Sequence, residues 1–174
     1  MELDITRAKL KSGEKVIIVK DSSEEGDWDF PVGAFHLTPD QVNPKLKEIL
    51  GHQPDEHVIW IYTGGRSQYE IDRTLEHELA HLERVGKYDR GTVEGYILEE
   101  LDVVGEEGIR VGTRQWLEGV AMRVQSVFNL PEEEALIKVS QLAAEYGPGR
   151  LARSAGKVLE ELEVGRYKPR LGRR

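Results

Sequence analysis

The chain has 174 residues, which suits a single domain with enough apolar content for one sizeable core. Its formal net charge of −8 argues against nucleic acid as the main partner. The chain has no cysteine, so a disulfide framework is excluded and any metal must be held by nitrogen and oxygen ligands. No stretch approaches the roughly 18 apolar residues of a membrane span, and residues 1–10 lack an apolar signal core. We therefore expect a cytoplasmic protein with no membrane partner.

The first third of the chain has the pattern of strands and turns. Short runs rich in β-branched and aromatic residues predict strands at 16–19, 32–37 and 57–62. Between the last two, Leu46, Ile49 and Leu50 lie at helical spacing and predict a short helix.

From residue 67 onward, apolar residues recur at helical spacing and predict five helices. The first covers about 68–85 and the second opens at Thr92. The third follows Thr113, the fourth starts at Pro131 and stops at 147–149, and the fifth covers about 151–164. The third helix is expected to turn Trp116, Val120, Val124 and Val127 inward.

Strands first and helices afterwards indicate an α+β fold, a small N-terminal β-sheet followed by a helical bundle. The chain shows no internal repeat and no low-complexity linker, so we interpret residues 1–174 as a single domain. Residues 165–174 carry five basic and no acidic side chains. We interpret them as a solvated tail, with an anionic partner such as nucleic acid as the alternative.

The motif His-Glu-Leu-Ala-His occupies residues 77–81 inside the first predicted helix. Two histidines four positions apart lie on one helix face, about 40° apart in azimuth and about 6 Å apart in rise. His77 and His81 can therefore bind one zinc ion, while Glu78, beside them, is placed to act as general base toward a metal-bound water. Chance placement of these three side chains is the alternative, and a third ligand is needed to decide.

The two faces of the motif helix differ in composition. One carries an apolar stripe of Ile71, Leu75, Leu79, Leu82 and Val85. The far side is predicted to carry charged residues, namely Arg73, Glu76, Glu83 and Arg84. The histidines and Glu78 border the stripe, where a cleft is expected.

The third ligand must be Asp or Glu if it lies downstream, because no histidine follows His81. The next helix offers Glu94, Glu99, Glu100 and Asp102. On a helical wheel Glu100 points toward the centre of the apolar face, whereas Glu99 and Asp102 lie toward the opposite side. A lone carboxylate in an apolar face is costly unless it is paired, protonated or metal-bound.

We therefore predict Glu100 as the third ligand. Two alternatives remain open. Glu100 could instead form a salt bridge to Arg110 or Arg114, and Glu99 could be the ligand in its place.

The sequence resembles the gluzincin group of zincin metallopeptidases, in which a glutamate on the helix after HExxH completes the site. Here Glu100 lies 19 positions after His81, and the resemblance is strongest over residues 66–104. The chain is also similar to small cytoplasmic and phage-borne HExxH proteins and minigluzincins. It departs from the family at Glu83, usually apolar, and at Val104, where an Asp often supports a histidine; Asp102 or Glu99 are candidates for that role.

The resemblance implies a zincin-like fold, one zinc ion per chain and hydrolysis of peptide bonds in a peptide or protein substrate. It also implies an edge strand that pairs with substrate, for which 57–62 and 32–37 are the candidates. The tetrahedral oxyanion needs a further donor, and the candidates are Tyr62, Tyr88, His36, Arg110 and Arg114. A catalytically inactive zincin-like domain that binds zinc and a partner protein is the alternative. The pattern favours no particular oligomeric state.

Overall fold

The computed structural model describes residues 2–23 and 33–170. Within these ranges the chain forms four strands, six α-helices and one 3-10 turn at Pro39–Gln41. The strands are β1 (Leu3–Lys9), β2 (Lys15–Asp21), β3 (Ala34–Leu37) and β4 (Glu56–Tyr62). The helices are α1 (Pro44–Leu50), α2 (Gln68–Leu82), α3 (Val93–Glu107), α4 (Thr113–Phe128), α5 (Glu132–Tyr146) and α6 (Gly149–Glu163). The predicted α+β class is confirmed.

The chain divides into two compact units, Met1–Glu83 and Arg84–Arg174. The first unit contains the sheet together with α1 and α2, so the motif helix is grouped with the strands. The second unit contains α3 to α6. Among the described residues, no helix combines the length and the apolar character that crossing a membrane requires.

The sheet has the strand order β1-β2-β4-β3. β2 and β4 are parallel, while β1 and β3 pair antiparallel with their neighbours. β4 is therefore an inner strand, and the edge-strand candidate at 57–62 is wrong. The other candidate contains the edge strand β3, although its residue 32 lies outside the described residues. β1 escaped prediction because nearly all of it is exposed and it carries no apolar run.

Both faces of the sheet are covered, which explains the continuous apolar runs of β2 and β4. One face packs against α2 and is formed by Val16, Ile18, Ala34, Ile59 and Ile61. From α2, Ile71 and Leu82 are buried in this layer, and Leu75 and Leu79 pack at its margin. The other face contains Ile17, Val19, Val58 and Trp60, together with Val42 and Leu50.

The start of α2 is fixed by a cap and by one arginine. The Ser67 side chain accepts a hydrogen bond from the backbone N–H of Glu70. The Arg66 guanidinium donates to the carbonyl oxygens of Gly33 and Tyr62, each at 3.0 Å, and to the hydroxyl of Thr74. Arg66 thus ties the ends of β3 and β4 to the first turns of α2.

α2 ends at Leu82, three residues before the predicted end at 85. Glu83 is the C-cap, and Gly86 has a φ of 82°, in the left-handed region that favours glycine. Val85 is consequently exposed rather than part of the apolar stripe.

The second unit has its own core, contributed by all four of its helices. Its fully buried members include Ile97, Leu117, Val120, Val124, Val139, Leu151 and Val158. Val127 is exposed, contrary to the prediction, and Phe128 packs against the core in the last turn of α4.

Part of the basic C-terminal segment packs against α4. The Tyr167 hydroxyl and the backbone N–H of Arg170 both donate to the buried Glu118 carboxylate. Burial, and then the hydrogen bond to Glu118, raise the pKa of the Tyr167 hydroxyl. Residues 171–174 of the predicted tail lie outside the described residues.

Candidate metal centre

His77 and His81 lie one turn apart on α2, and both are half-buried. Their Nε2 atoms are 3.2 Å apart, and their ring planes are nearly perpendicular, with centroids 4.7 Å apart. Two nitrogens bound to one tetrahedral zinc at bond lengths of about 2.0–2.1 Å lie about 3.3 Å apart. The spacing of the two imidazole nitrogens therefore fits two ligands of one ion.

Glu100 supplies an acidic group to the same set. Among the described residues, His77, His81 and Glu100 could hold a metal ion, because each offers one ligand atom and these atoms all lie within 4.8 Å of one another. Two imidazoles and one carboxylate form a donor set that suits zinc and leaves a fourth position for water or substrate. The same donors also accept other divalent ions.

Glu78 is half-buried on α2, next to His77 in sequence. Glu76 on the same helix and Glu83 at its C-cap are exposed. Of these three glutamates, Glu78 is thus the one with a partly protected side chain, as expected for a group that borders a cleft.

Glu100 is buried, with 3% of its surface exposed, and two arginines lie near it. Arg123 Nη2 is 3.7 Å from one carboxylate oxygen, and Arg90 Nη2 is 3.9 Å from the other. Both contacts are longer than a hydrogen bond. The predicted alternative partners do not match these, since Arg114 pairs with Glu161 instead.

Glu99 is also buried, although the helical wheel places it toward the side of α3 opposite the apolar face. Its carboxylate pairs with Arg90, whose guanidinium lies over the Tyr96 ring at 4.3 Å from the centroid. A helical wheel cannot anticipate this, because Arg90 belongs to the loop before α3. Glu99 is not a member of the metal-binding group that contains Glu100.

The Asp102 carboxylate contacts two cationic side chains and one phenol hydroxyl. Lys87, Tyr88 and Arg84 all contact its carboxylate. Burial acts to raise the pKa of Asp102, but these hydrogen bonds outweigh it and lower the pKa to about 2. The Arg84 side chain is only 12% exposed, so its predicted place on a solvent-facing side is wrong. The helical wheel does not apply to Arg84 because α2 has already ended.

The remaining candidates for an oxyanion donor are engaged in different ways. Tyr88 donates to Asp102, Tyr62 packs against the Phe35 ring, and Arg110 is exposed. His36 forms a hydrogen bond with His57, the second residue of β4. Arg90, Arg123 and the His36–His57 pair were not identified from the sequence, because they depend on contacts between elements.

No protein-family model, curated protein or solved structure matches this chain. The gluzincin resemblance therefore stays a prediction.

Proposed function

We propose that this chain is a zinc-dependent metallopeptidase that hydrolyses peptide bonds in a peptide or protein substrate. The observation that carries the proposal is the convergence of ligand atoms from His77, His81 and Glu100. A zinc ion bound by these side chains would polarise the scissile carbonyl and lower the pKa of a bound water toward 7. One zinc per chain, a cytoplasmic location and no role for nucleic acid belong to the same proposal.

Glu78 is the general base of the proposed reaction. It takes one proton from the attacking water, whose oxygen bonds to the carbonyl carbon. The C–N bond then breaks, and Glu78 returns the proton to the nitrogen of the leaving amine. The half-buried position of Glu78 beside His77 supports this role.

The metal site is tested by zinc content. Wild-type protein, stripped with a chelator and reloaded with zinc, should retain one zinc per chain after dialysis, measured by mass spectrometry of the metal. We expect Glu100→Gln to lose most of it, because one of three protein ligands is gone. The matched variant Glu99→Gln, at the adjacent buried glutamate, should retain zinc. Loss from Glu99→Gln alone would transfer the third-ligand role to Glu99.

The reaction is tested by cleavage of a proteome-derived peptide library with mass-spectrometric readout. Zinc-loaded wild type should cut the library, and Glu78→Gln should bind zinc but cut nothing. Glu76→Gln, an exposed change on the same helix, should cut as wild type does. If wild type binds zinc and cuts no peptide, the peptidase proposal is wrong and a zinc-binding interaction domain takes its place.

A further inference from the structure

Two side chains in the first turns of α2 are paired with each other. Arg73 Nη1 donates a hydrogen bond to the Tyr69 hydroxyl at 2.8 Å, and the guanidinium carbon lies 5.3 Å from the centre of the Tyr69 ring. Arg73 is half-buried, whereas 68% of the Tyr69 surface is exposed. Tyr69 therefore holds the guanidinium at the helix surface, and we call these two residues the Arg–Tyr pair.

The Arg–Tyr pair lies on the same ridge of α2 as the two histidines of the candidate metal centre. Intervals of four residues separate Tyr69, Arg73, His77 and His81. Residues four apart on a helix differ by about 40° in azimuth and about 6 Å in rise. Arg73 is therefore one turn before His77, just as His81 is one turn after it. Arg73 also lies opposite the apolar stripe that packs against the sheet, so the sheet leaves this side of the helix uncovered.

Arg73 carries its charge without an acidic partner in the part of the chain that the structure describes. Glu70 and Glu76 lie three positions away on either side, at a spacing that allows a salt bridge along a helix. The guanidinium is directed to the Tyr69 hydroxyl instead. A guanidinium has five N–H donors and this hydroxyl takes one of them. A cation with further donors therefore stands one turn from the candidate metal ligands.

We propose that Arg73 is a specificity-determining residue of the peptidase and binds a substrate carboxylate close to the scissile bond. The planar guanidinium matches a carboxylate, to which it donates two parallel N–H bonds. Tyr69 is its positioning residue, because the Tyr69 hydroxyl and ring fix the guanidinium along the helix. The inference rests on the proposed function and adds the chemical class of the substrate.

The spacing along the ridge limits where the carboxylate lies in the substrate. An extended peptide advances about 3.3 Å per residue, and Arg73 is about 6 Å from His77 along the helix axis. The carboxylate therefore belongs within about two residues of the scissile bond. It is either the side chain of an Asp or Glu or the free α-carboxylate of a peptide that ends there, since both groups have the same chemistry.

One acidic residue on the same helix opposes this preference. Glu70 is exposed and lies seven positions before His77, about 10 Å along the axis, against about 6 Å for Arg73. Charges in water are screened over about 8 Å at physiological ionic strength. The nearer Arg73 therefore outweighs Glu70, and the net preference is for a carboxylate.

The first test measures the charge preference at each substrate position. A library peptide that wild type cuts is resynthesised with Glu, Gln or Lys at each of the two positions on either side of the scissile bond. At one of these positions wild type should show a kcat/KM about 10-fold higher for Glu than for Gln, as a charge-assisted hydrogen bond provides. Arg73→Gln should keep one zinc per chain and lose this preference, and Arg73→Glu should prefer Lys. Lys45→Gln, an exposed change in the same unit, should keep the wild-type preference.

The second test separates the two sources of the carboxylate. Peptides that end one or two residues after the scissile bond are compared as free acids and as C-terminal amides. If wild type cuts the free acid about 10-fold faster and Arg73→Gln cuts both equally, the ligand of Arg73 is the α-carboxylate. A Glu preference in the first test, with acid and amide cut equally, assigns the side chain instead.

Tyr69→Phe tests the positioning role, because it keeps the ring and removes the hydroxyl. This variant should lower the carboxylate preference about threefold, with an unchanged kcat/KM for the peptide that lacks the carboxylate. A preference equal to that of wild type would overturn the role of Tyr69. If wild type shows no carboxylate preference in either test, or if Arg73→Gln retains it, this inference fails and the proposed function stands. If wild type cuts no peptide, both fail.

Discussion

At the scale of single residues, two adjacent buried glutamates on α3 have different surroundings. Glu99 is paired closely with Arg90, which compensates its charge. The Glu100 carboxylate lies 3.7 Å from the Arg123 guanidinium and 3.9 Å from that of Arg90. Glu100, and not Glu99, belongs to the group of side chains that could hold a metal ion.

The assignment of Glu100 as a metal ligand can be tested at Arg123. Its guanidinium repels a cation bound at Glu100, but it is nearly half exposed, so the effect is that of a surface charge, about 1 kcal/mol or less. Arg123→Ala should therefore tighten zinc binding, up to about fivefold. Competition with a fluorescent chelator measures this, with Arg150→Ala as an exposed control. Weaker binding in Arg123→Ala would show that Arg123 holds Glu100 in place instead.

The group that could hold a metal, His77, His81 and Glu100, was predictable from the sequence, because the spacing on one helix and the helical wheel of the next suffice to define it. Spacing alone places His77 and His81 on one face, and the apolar face of α3 singles out Glu100. The contacts of Arg90 and Arg123 and the His36–His57 pair were not predictable, because they join elements that come together only in three dimensions. The burial of Glu99 was missed for the same reason, because its partner Arg90 lies in the loop before α3.

At the scale of elements, local signals set the helix starts. Thr92 caps α3 by accepting from the N–H of Gly95, and Pro131 precedes α5, as predicted. The predictions of helix ends and of exposed strands were less accurate. α2 stops before its predicted end, and β1 has polar residues where apolar ones would have marked a strand.

We expect Arg66 to stabilise α2 more than the Ser67 cap does. Arg66→Ala removes the hydrogen bonds to Gly33, Tyr62 and Thr74 at once and should destabilise the first unit by about 2–3 kcal/mol. Arg73→Ala removes an exposed contact with Tyr69 and should cost less than about 0.5 kcal/mol. Urea unfolding, followed by circular dichroism, measures the free energy of unfolding of both variants. Equal losses in the two variants would contradict the role of Arg66.

At the scale of the whole molecule, each unit is built around its own apolar layers. The first unit buries both faces of its sheet, and the second buries the inward faces of four helices. The C-terminal segment contacts the second unit through the buried acid Glu118, and its Tyr167 ring packs against the core of that unit. A basic segment that satisfies a buried carboxylate has a structural use that needs no anionic partner.

Deleting residues 165–174 should therefore destabilise the second unit. The deletion removes the donors from Tyr167 and Arg170 to Glu118, at a cost of about 2–3 kcal/mol in the free energy of unfolding. Tyr167→Phe removes the hydroxyl alone and should cost about half as much, since Arg170 still donates. Binding to labelled DNA at about 50 mM salt should be negligible with or without the segment, because the chain carries a net charge of −8. DNA binding that disappears on deletion, with unchanged stability, would instead establish the segment as a nucleic-acid contact.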